Sequence, residues 1–249
     1  MSGDRLTEFV IVAICLAAGG VLKGATGAGA PILAVPALAA FFDVRFAVVV
    51  MLVPNLTTNA WQAFRFRRFL PERALMMPLL AGGIVGIILG TFALKSLPSE
   101  TLSLVVALAV IGYVVLRLAR PHWLLDAPLA KTLALPAGAA AGLLQGASGL
   151  SAPVSITFLN AMRLGRESFM AAISVLFVTF TAIQIPVVAM NGLIGPGELT
   201  YSLFALLPVS LAMPVGAYLA RHTSAQALDR VVLAILVMIA VRLIAGAVL

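Results

Sequence analysis

Charge is the first thing this chain lacks. Only 10% of its 249 residues are Asp, Glu, Lys or Arg, against about 25% in an ordinary soluble domain. With a mean hydropathy of +1.14 and apolar runs that recur from end to end, the chain reads as an all-α polytopic membrane protein. The longest connection, about 117–131, is too short to fold by itself. Cysteine is nearly absent as well. The lone Cys15 excludes an intramolecular disulfide and argues against a cysteine metal site, and it reads as a small buried hydrophobe. No acid falls in the middle of an apolar run: Asp4, Glu8, Asp43, Glu72, Glu100, Asp126, Glu167, Glu198 and Asp229 all lie in loops or at segment ends. His122 and His222 are in loops too. Carriers of cations usually keep a carboxylate at mid-membrane, so the pattern weighs against cation transport. There is no Walker motif, dinucleotide fingerprint, HExxH or GxSxG pattern. No cofactor, no metal and no catalytic residue is therefore expected, and the chain does not read as an enzyme. The net charge of +7 is spread through short loops, where it orients membrane segments rather than binding nucleic acid. Residues 1–20 lack the form of a cleaved signal peptide.

What the chain does have is a repeat. Gly20-Val-Leu-Lys-Gly-Ala-Thr-Gly-Ala-Gly-Ala-Pro31 returns as Gly142-Leu-Leu-Gln-Gly-Ala-Ser-Gly-Leu-Ser-Ala-Pro153. Small residues coincide at Gly24/Gly146, Ala25/Ala147, Thr26/Ser148, Gly27/Gly149 and Ala30/Ala152, and each copy ends in a proline followed by an apolar run. Paired breaks in corresponding apolar segments are the sequence mark of a transporter's central site.

Apolar segments run over about 6–23, 30–42, 46–64, 74–94, 101–118, 129–145, 152–162, 168–190, 199–220 and 229–248. Each half, 1–120 and 121–249, thus holds five: one long, one short and three long. Loop charges differ between equivalent positions. Arg65, Arg67, Arg68 and Arg73 crowd one loop, whereas its counterpart 191–198 has no basic residue. The loop 95–100 and the turn 43–45 are balanced, while their counterparts carry Arg221, His222 and Arg230, and Arg163 and Arg166. Equivalent loops therefore face opposite sides, as inverted-topology repeats require. This places the arginine-rich loop and the linker 117–131 in the cytoplasm and both termini outside. The segments 30–42 and 152–162 provide only about 17–20 Å of helix, short of the ~30 Å hydrocarbon thickness. Each either re-enters beside its predecessor or borrows length from the glycine loop.

The glycines Gly24, Gly27 and Gly29 cost a helix about 1 kcal/mol each relative to alanine, whereas Pro31 and Pro153 suit the first turn of a new one. The expected local structure is a long helix, an unwound loop, and a short helix starting near Ala30 and Ala152. Amides at such starts bind anions without a charged side chain, and Thr26 and Ser148 add hydroxyls. Close helix packing is the alternative use of the same glycines. Lys23 either snorkels to the headgroups or contacts an anionic substrate; its counterpart Gln145 offers a neutral hydrogen bond. Asn55, Thr58, Asn59 and Gln62 share a helix face, and the counterpart segment retains Thr179, Thr181 and Gln184, with Gln184 lying 122 positions on from Gln62. This polar face lines a pathway or bonds helices together. Arg242, inside the last segment, snorkels outward or has a partner, and Trp61 reads as an interface anchor.

The paired motif, running on into Ile-Leu-Ala-Val-Pro36, resembles the signatures of the TauE/SafE family of sulfite exporter-like permeases, over nearly the whole chain. That resemblance implies a secondary transporter of small sulfur-containing anions, sulfite or organosulfonates such as sulfoacetate, in a bacterial cytoplasmic membrane. Leu150 and Ser151 depart from the glycine-rich form of the second signature, so non-sulfur carboxylates remain an alternative. The expected substrate-binding set is Lys23, Gly24, Thr26, Gly27, Gly29, Asn59, Gln62, Gln145, Gly146, Ser148, Gly149, Ser151 and Gln184. The expected partners are a small anion and the lipid bilayer. An anion channel and a homo-oligomer are compatible with the same residues.

Overall fold

The computed structural model describes residues 2–119, 124–222 and 225–248. His122 and the side chains of Asp4, Glu8 and Asp229 lie outside the described residues. Among the described residues the fold is all helix: α1 (Ser2–Thr26), α2 (Ala30–Ala39), α3 (Val44–Val50), α4 (Leu52–Phe66), a 3₁₀ turn (Arg67–Phe69), α5 (Arg73–Ser96), α6 (Ser99–Ala119), α7 (Ala127–Ser148), α8 (Ala152–Ala161), α9 (Arg166–Met190), α10 (Pro196–His222) and α11 (Ala225–Val248). Seven of these (α1, α5, α6, α7, α9, α10 and α11) are long and apolar enough to cross a membrane. The protein is thus a polytopic membrane protein. The short helices α2 and α8 have ten residues each, about 15 Å, and all ten residues of α2 are buried.

One expected segment comes apart. The run 46–64 forms two helices, α3 and α4, divided at Met51. Pro54 explains the division: it has no amide for the Val50 carbonyl, and its ring crowds that carbonyl. One turn is loosened, and the Val53 amide donates instead to the Ser202 hydroxyl of α10 at 3.1 Å. The ladder resumes with Asn55 N to Met51 O at 3.0 Å. The counterpart α9 carries its proline, Pro186, near its end and is unbroken.

Two glycine seams hold the helices together. α5 packs along α7, and α1 along α10. In the first seam Gly82, Gly86 and Gly90 meet Gly138, Gly142 and Gly146. A Cβ on any of these six would run into the other helix's backbone. In the second seam a Cβ on Gly20 or Gly24 would strike the backbone of Val209 or Met213, and one on Gly216 that of Val21. Lipid tails are as apolar as leucine, so close backbone approach supplies the dispersion contacts that bind such helices. Each seam joins a helix from one sequence half to a helix from the other. α4 packs on α9 and α6 on α11.

Polar contacts fix the ends. Asp43 caps α3 by accepting from the Arg45 amide at 2.7 Å. The Arg45 guanidinium crosses to the end of α5, bonding the Leu94 carbonyl at 3.0 Å and the Ser99 hydroxyl at 2.9 Å. At another edge Lys131 pairs with Glu72 at 2.9 Å, tying the start of α7 to the loop before α5. The Leu125 amide donates to the Ala161 carbonyl at 3.0 Å.

The seams predict a sharp contrast. Gly86→Leu places a side chain where the Ala139 carbonyl lies and should lower stability by about 1–3 kcal/mol or prevent assembly. Gly112→Ala, whose Cβ meets nothing within 4 Å, should leave the melting temperature in detergent unchanged or raised. Equal melting temperatures for the two variants would contradict the seam.

Candidate functional site

The helices α1 and α7 end alike. At Gly27 (φ 78°) and Gly149 (φ 72°) the backbone turns left-handed, a conformation glycine adopts without penalty. The Gly27 amide donates to the Lys23 carbonyl and the Gly149 amide to the Gln145 carbonyl, both at 2.7 Å. These are left-handed C-caps. Gly29 continues the first loop at φ 120°, whereas Ser151 continues the second in ordinary right-handed backbone (φ −91°). The short helices begin at Ala30 and Ala152, each with its proline in the first turn.

Lys23 does not snorkel. It is only 1% exposed, and its ammonium Nζ donates to Asn59 Oδ1 at 2.7 Å. Asn59 Nδ2 donates to the Asn55 carbonyl at 2.7 Å and to Asn55 Oδ1 at 2.6 Å. Asn55 Nδ2 donates to Thr181 Oγ1 at 3.0 Å, and that hydroxyl donates to the Phe177 carbonyl at 2.8 Å. All four side chains are buried. A line of hydrogen bonds thus runs from α1 through α4 to α9, from one half of the sequence into the other. Every group on the line beyond Lys23 is neutral. Among the described residues Lys23 forms no ion pair, and Asn59 is its one hydrogen-bond acceptor. In its protonated form a lysine has three donors, so two would remain uncommitted to protein.

Two glutamines brace the loops. Gln62 Nε2 donates to the Gly27 carbonyl at 2.8 Å and approaches Met170 Sδ at 3.4 Å. Gln184 Nε2 lies 3.4 Å from the Gln145 carbonyl and 3.5 Å from that of Gly146, at the weak end of hydrogen bonding. Its Oε1 is buried without a partner among the described residues. The Gln145 side chain is committed to its own loop, since Oε1 accepts from the Ser151 amide at 3.1 Å and from its hydroxyl at 2.9 Å. The two hydroxyls of the motif turn back on their helices: Thr26 toward the Leu22 carbonyl at 2.9 Å and also against the Ala28 carbonyl, Ser148 toward the Leu144 carbonyl at 2.7 Å. Such back-bonding offers a hydroxyl a local acceptor. Gly24 and Gly146 stand in the packing seams.

The expected site residues therefore divide into groups. Lys23, Asn59, Gln62 and Gly27 converge where α1 ends against α4, and Gln145, Ser151, Gly149 and Gln184 converge where α7 ends against α9. Asn55 and Thr181 join these groups, and their helical spacing was visible in the sequence. Met170 is a residue that sequence reasoning missed. Its side chain fills the space above Gly27, where a Cβ would meet its sulfur, and no spacing signals that. The two loops also differ in access. Thr26 is exposed and Gly27 half-buried, whereas every residue from Gln145 to Ala152 is buried. Beside the first loop a depression of about 240 Å³ opens between α4 and α10, lined by Thr57, Thr58, Trp61, Leu206, Ser210 and Met213. Met213 is the residue whose backbone touches Gly24. Trp61, read from sequence as an interface anchor, forms part of that wall.

Asn59→Leu removes the acceptor of a buried ammonium and should cost about 2 kcal/mol or more. Lys23→Met in the same chain should restore much of that loss. A double-mutant cycle on thermal stability reads the coupling; simple additivity would show that the pair does not interact.

The family model for the sulfite exporter TauE/SafE family matches residues 11–243. Comparison with curated proteins and with solved structures returned no match. With a match over nearly the whole chain, on a bundle of seven long apolar helices, the chain belongs to the sulfite exporter TauE/SafE family, a family of membrane transporters.

Proposed function

We propose that this protein is a secondary carrier of small sulfur-containing anions, sulfite or organosulfonates such as sulfoacetate, and that it exports them by alternating access. The observation that carries the reading is the buried Lys23 amino group, which has one neutral acceptor and no carboxylate partner among the described residues. An intramembrane cation without a counter-charge is costly, and an anion with several oxygens relieves that cost while using the uncommitted donors. Asn59 and Gln62 hold the ammonium and the first glycine loop in place, and the depression between α4 and α10 is the approach. An anion leaving the cytoplasm gains ~2.3 kcal/mol per charge per 100 mV from an inside-negative potential.

The unequal access of the two glycine loops supports alternation, with the first loop reachable and the second sealed. The inverted repeat, with halves 1–120 and 121–249, is part of the same proposal. The helix pairings support it: exchanging α1 with α7 and α5 with α10 turns the α1–α10 seam into the α5–α7 seam. The Lys131–Glu72 pair supports a shared cytoplasmic side for the arginine-rich loop and the linker. The proposed setting is the bacterial cytoplasmic membrane with both termini outside.

Counterflow in proteoliposomes tests the carrier. Labelled sulfite and sulfoacetate should exchange saturably, and lactate should not. Flux without saturation would make the protein a channel, and exchange of lactate alone would move the substrate to carboxylates. Lys23→Gln, which installs the residue found at the equivalent place in the second motif, should lower exchange about tenfold or more in a protein that still folds. Unchanged exchange would remove Lys23 from the site.

Orientation is tested separately with Cys15→Ala as background. A membrane-impermeant maleimide applied to intact cells should label Gly197→Cys, where a side chain meets open space, and should spare Arg68→Cys. The reverse pattern would invert the topology.

A further inference from the structure

The last helix holds an arginine that the transport site does not use. Arg242 lies inside the apolar stretch Arg230–Ala247, exposed on the surface of the bundle, six residues before Val248, or about 9 Å along the helix. Its guanidinium stands 4.0 Å from the centre of the Phe41 ring. Among the described residues it has neither a carboxylate partner nor a hydrogen-bond acceptor. The nearby acid is already engaged: Asp43 accepts from the Ser99 hydroxyl at 2.7 Å and from the Arg45 amide at 2.7 Å, with the Arg45 guanidinium at 3.4 Å.

Around Arg242 lies an open depression of about 570 Å³, walled by Ala39 at the end of α2 and the turn 40–42 after it, by Ser103 of α6, and by Leu243, Ala245 and Gly246 of α11. The guanidinium and the Ser103 hydroxyl are its donors. Gly246 leaves the floor free, since a Cβ there would meet nothing within 4 Å. Along the same two helices Leu108, Ile111, Val237, Met238 and Val241 remain exposed. Phe41 belongs to the turn between α2 and α3, so the guanidinium packed against it sits near the end of a span, at the level where headgroup phosphates lie. Its planar fork matches two phosphate oxygens at once.

We propose that this depression binds the phosphodiester headgroup of an anionic phospholipid, with Arg242 and Ser103 on the phosphate and the acyl chains along the exposed apolar residues of α6 and α11. A soluble anion would satisfy the guanidinium equally, but it would gain nothing from the apolar wall that continues from the depression. The lipid fills both parts. Phe41 holds the guanidinium in place by a cation–π contact.

The test uses the whole protein purified in neutral detergent, with native mass spectrometry to count retained lipid and thermal unfolding to read stabilisation. Phosphatidylglycerol should be retained and should raise the melting temperature more than phosphatidylcholine. Arg242→Ala should weaken retention about tenfold, as expected for loss of a charge-assisted pair, and Arg242→Lys should recover part of it. Gly246→Phe, which fills the depression and leaves Arg242 in place, should abolish the preference for phosphatidylglycerol. Equal retention of both lipids, or wild-type retention in Arg242→Ala and Gly246→Phe, overturns the proposal. So does displacement of phosphatidylglycerol by equimolar inorganic phosphate or sulfite, which would make the depression a site for free anions.

Discussion

Within a bilayer no water is at hand to satisfy backbone that leaves a helix, so every broken turn must find its partners in the protein. The arrangement of this molecule follows from that constraint. The amides of Gly27 and Gly149 fold back onto the carbonyls of Lys23 and Gln145. The freed Gly27 carbonyl is taken by Gln62 from α4, and the Ser151 amide by the side chain of Gln145. The loosened turn at Pro54 passes its free Val53 amide to Ser202 of α10. The breaks after α1 and at Pro54 are thereby tied to another helix, the break after α7 to its own, and the ties determine which side chains meet at the centre.

Lys23 carries the same constraint over to charge. A lysine this deep is tolerated because a line of neutral amides and a hydroxyl receives it, and that line ends on a helix from the other half of the chain. The two motifs are unequal as a result. Where the first has an ammonium aimed at Asn59, the second has Gln145 closed on its own loop. One loop is bound by a long-range contact and open to the surface; the other is self-contained and sealed.

Much of this was legible in the sequence. Pro31 and Pro153 marked the helix starts at Ala30 and Ala152, because proline is best suited to the first turn. The shortness of α2 and α8 followed from run length. Other features depended on partners far away in the chain. Whether Lys23 would snorkel or turn inward was decided by Asn59, thirty-six positions on, and helical spacing could bring Asn55 and Asn59 only as far as a shared face, with Thr181 on the counterpart segment. Pro54 was visible, yet an unbroken run was expected over 46–64. The four-residue spacing of Gly82, Gly86 and Gly90, and of Gly138, Gly142 and Gly146, carried the main seam without being read, because apolar runs draw attention to bulk whereas these helices meet through its absence. Thr26 and Ser148 pointed to donors for a ligand, but a nearby carbonyl on their own helix was the closer acceptor.

The two seams differ in how far apart their halves lie along the chain, and this bears on how the protein is made. α5 and α7 are close neighbours in sequence, so their glycine faces can join soon after α7 leaves the ribosome. Gly20 of α1 and Val209 of α10 are separated by about 190 positions, and at 5–20 residues per second that is a wait of roughly 10–40 s. Throughout that interval α1 presents its glycine face to lipid or to the insertion machinery with nothing to fill it. Of the described helices the earliest in sequence is thus among the last to be fully packed, and a chain stalled or cut before α10 leaves that notch open as a mark of incomplete assembly.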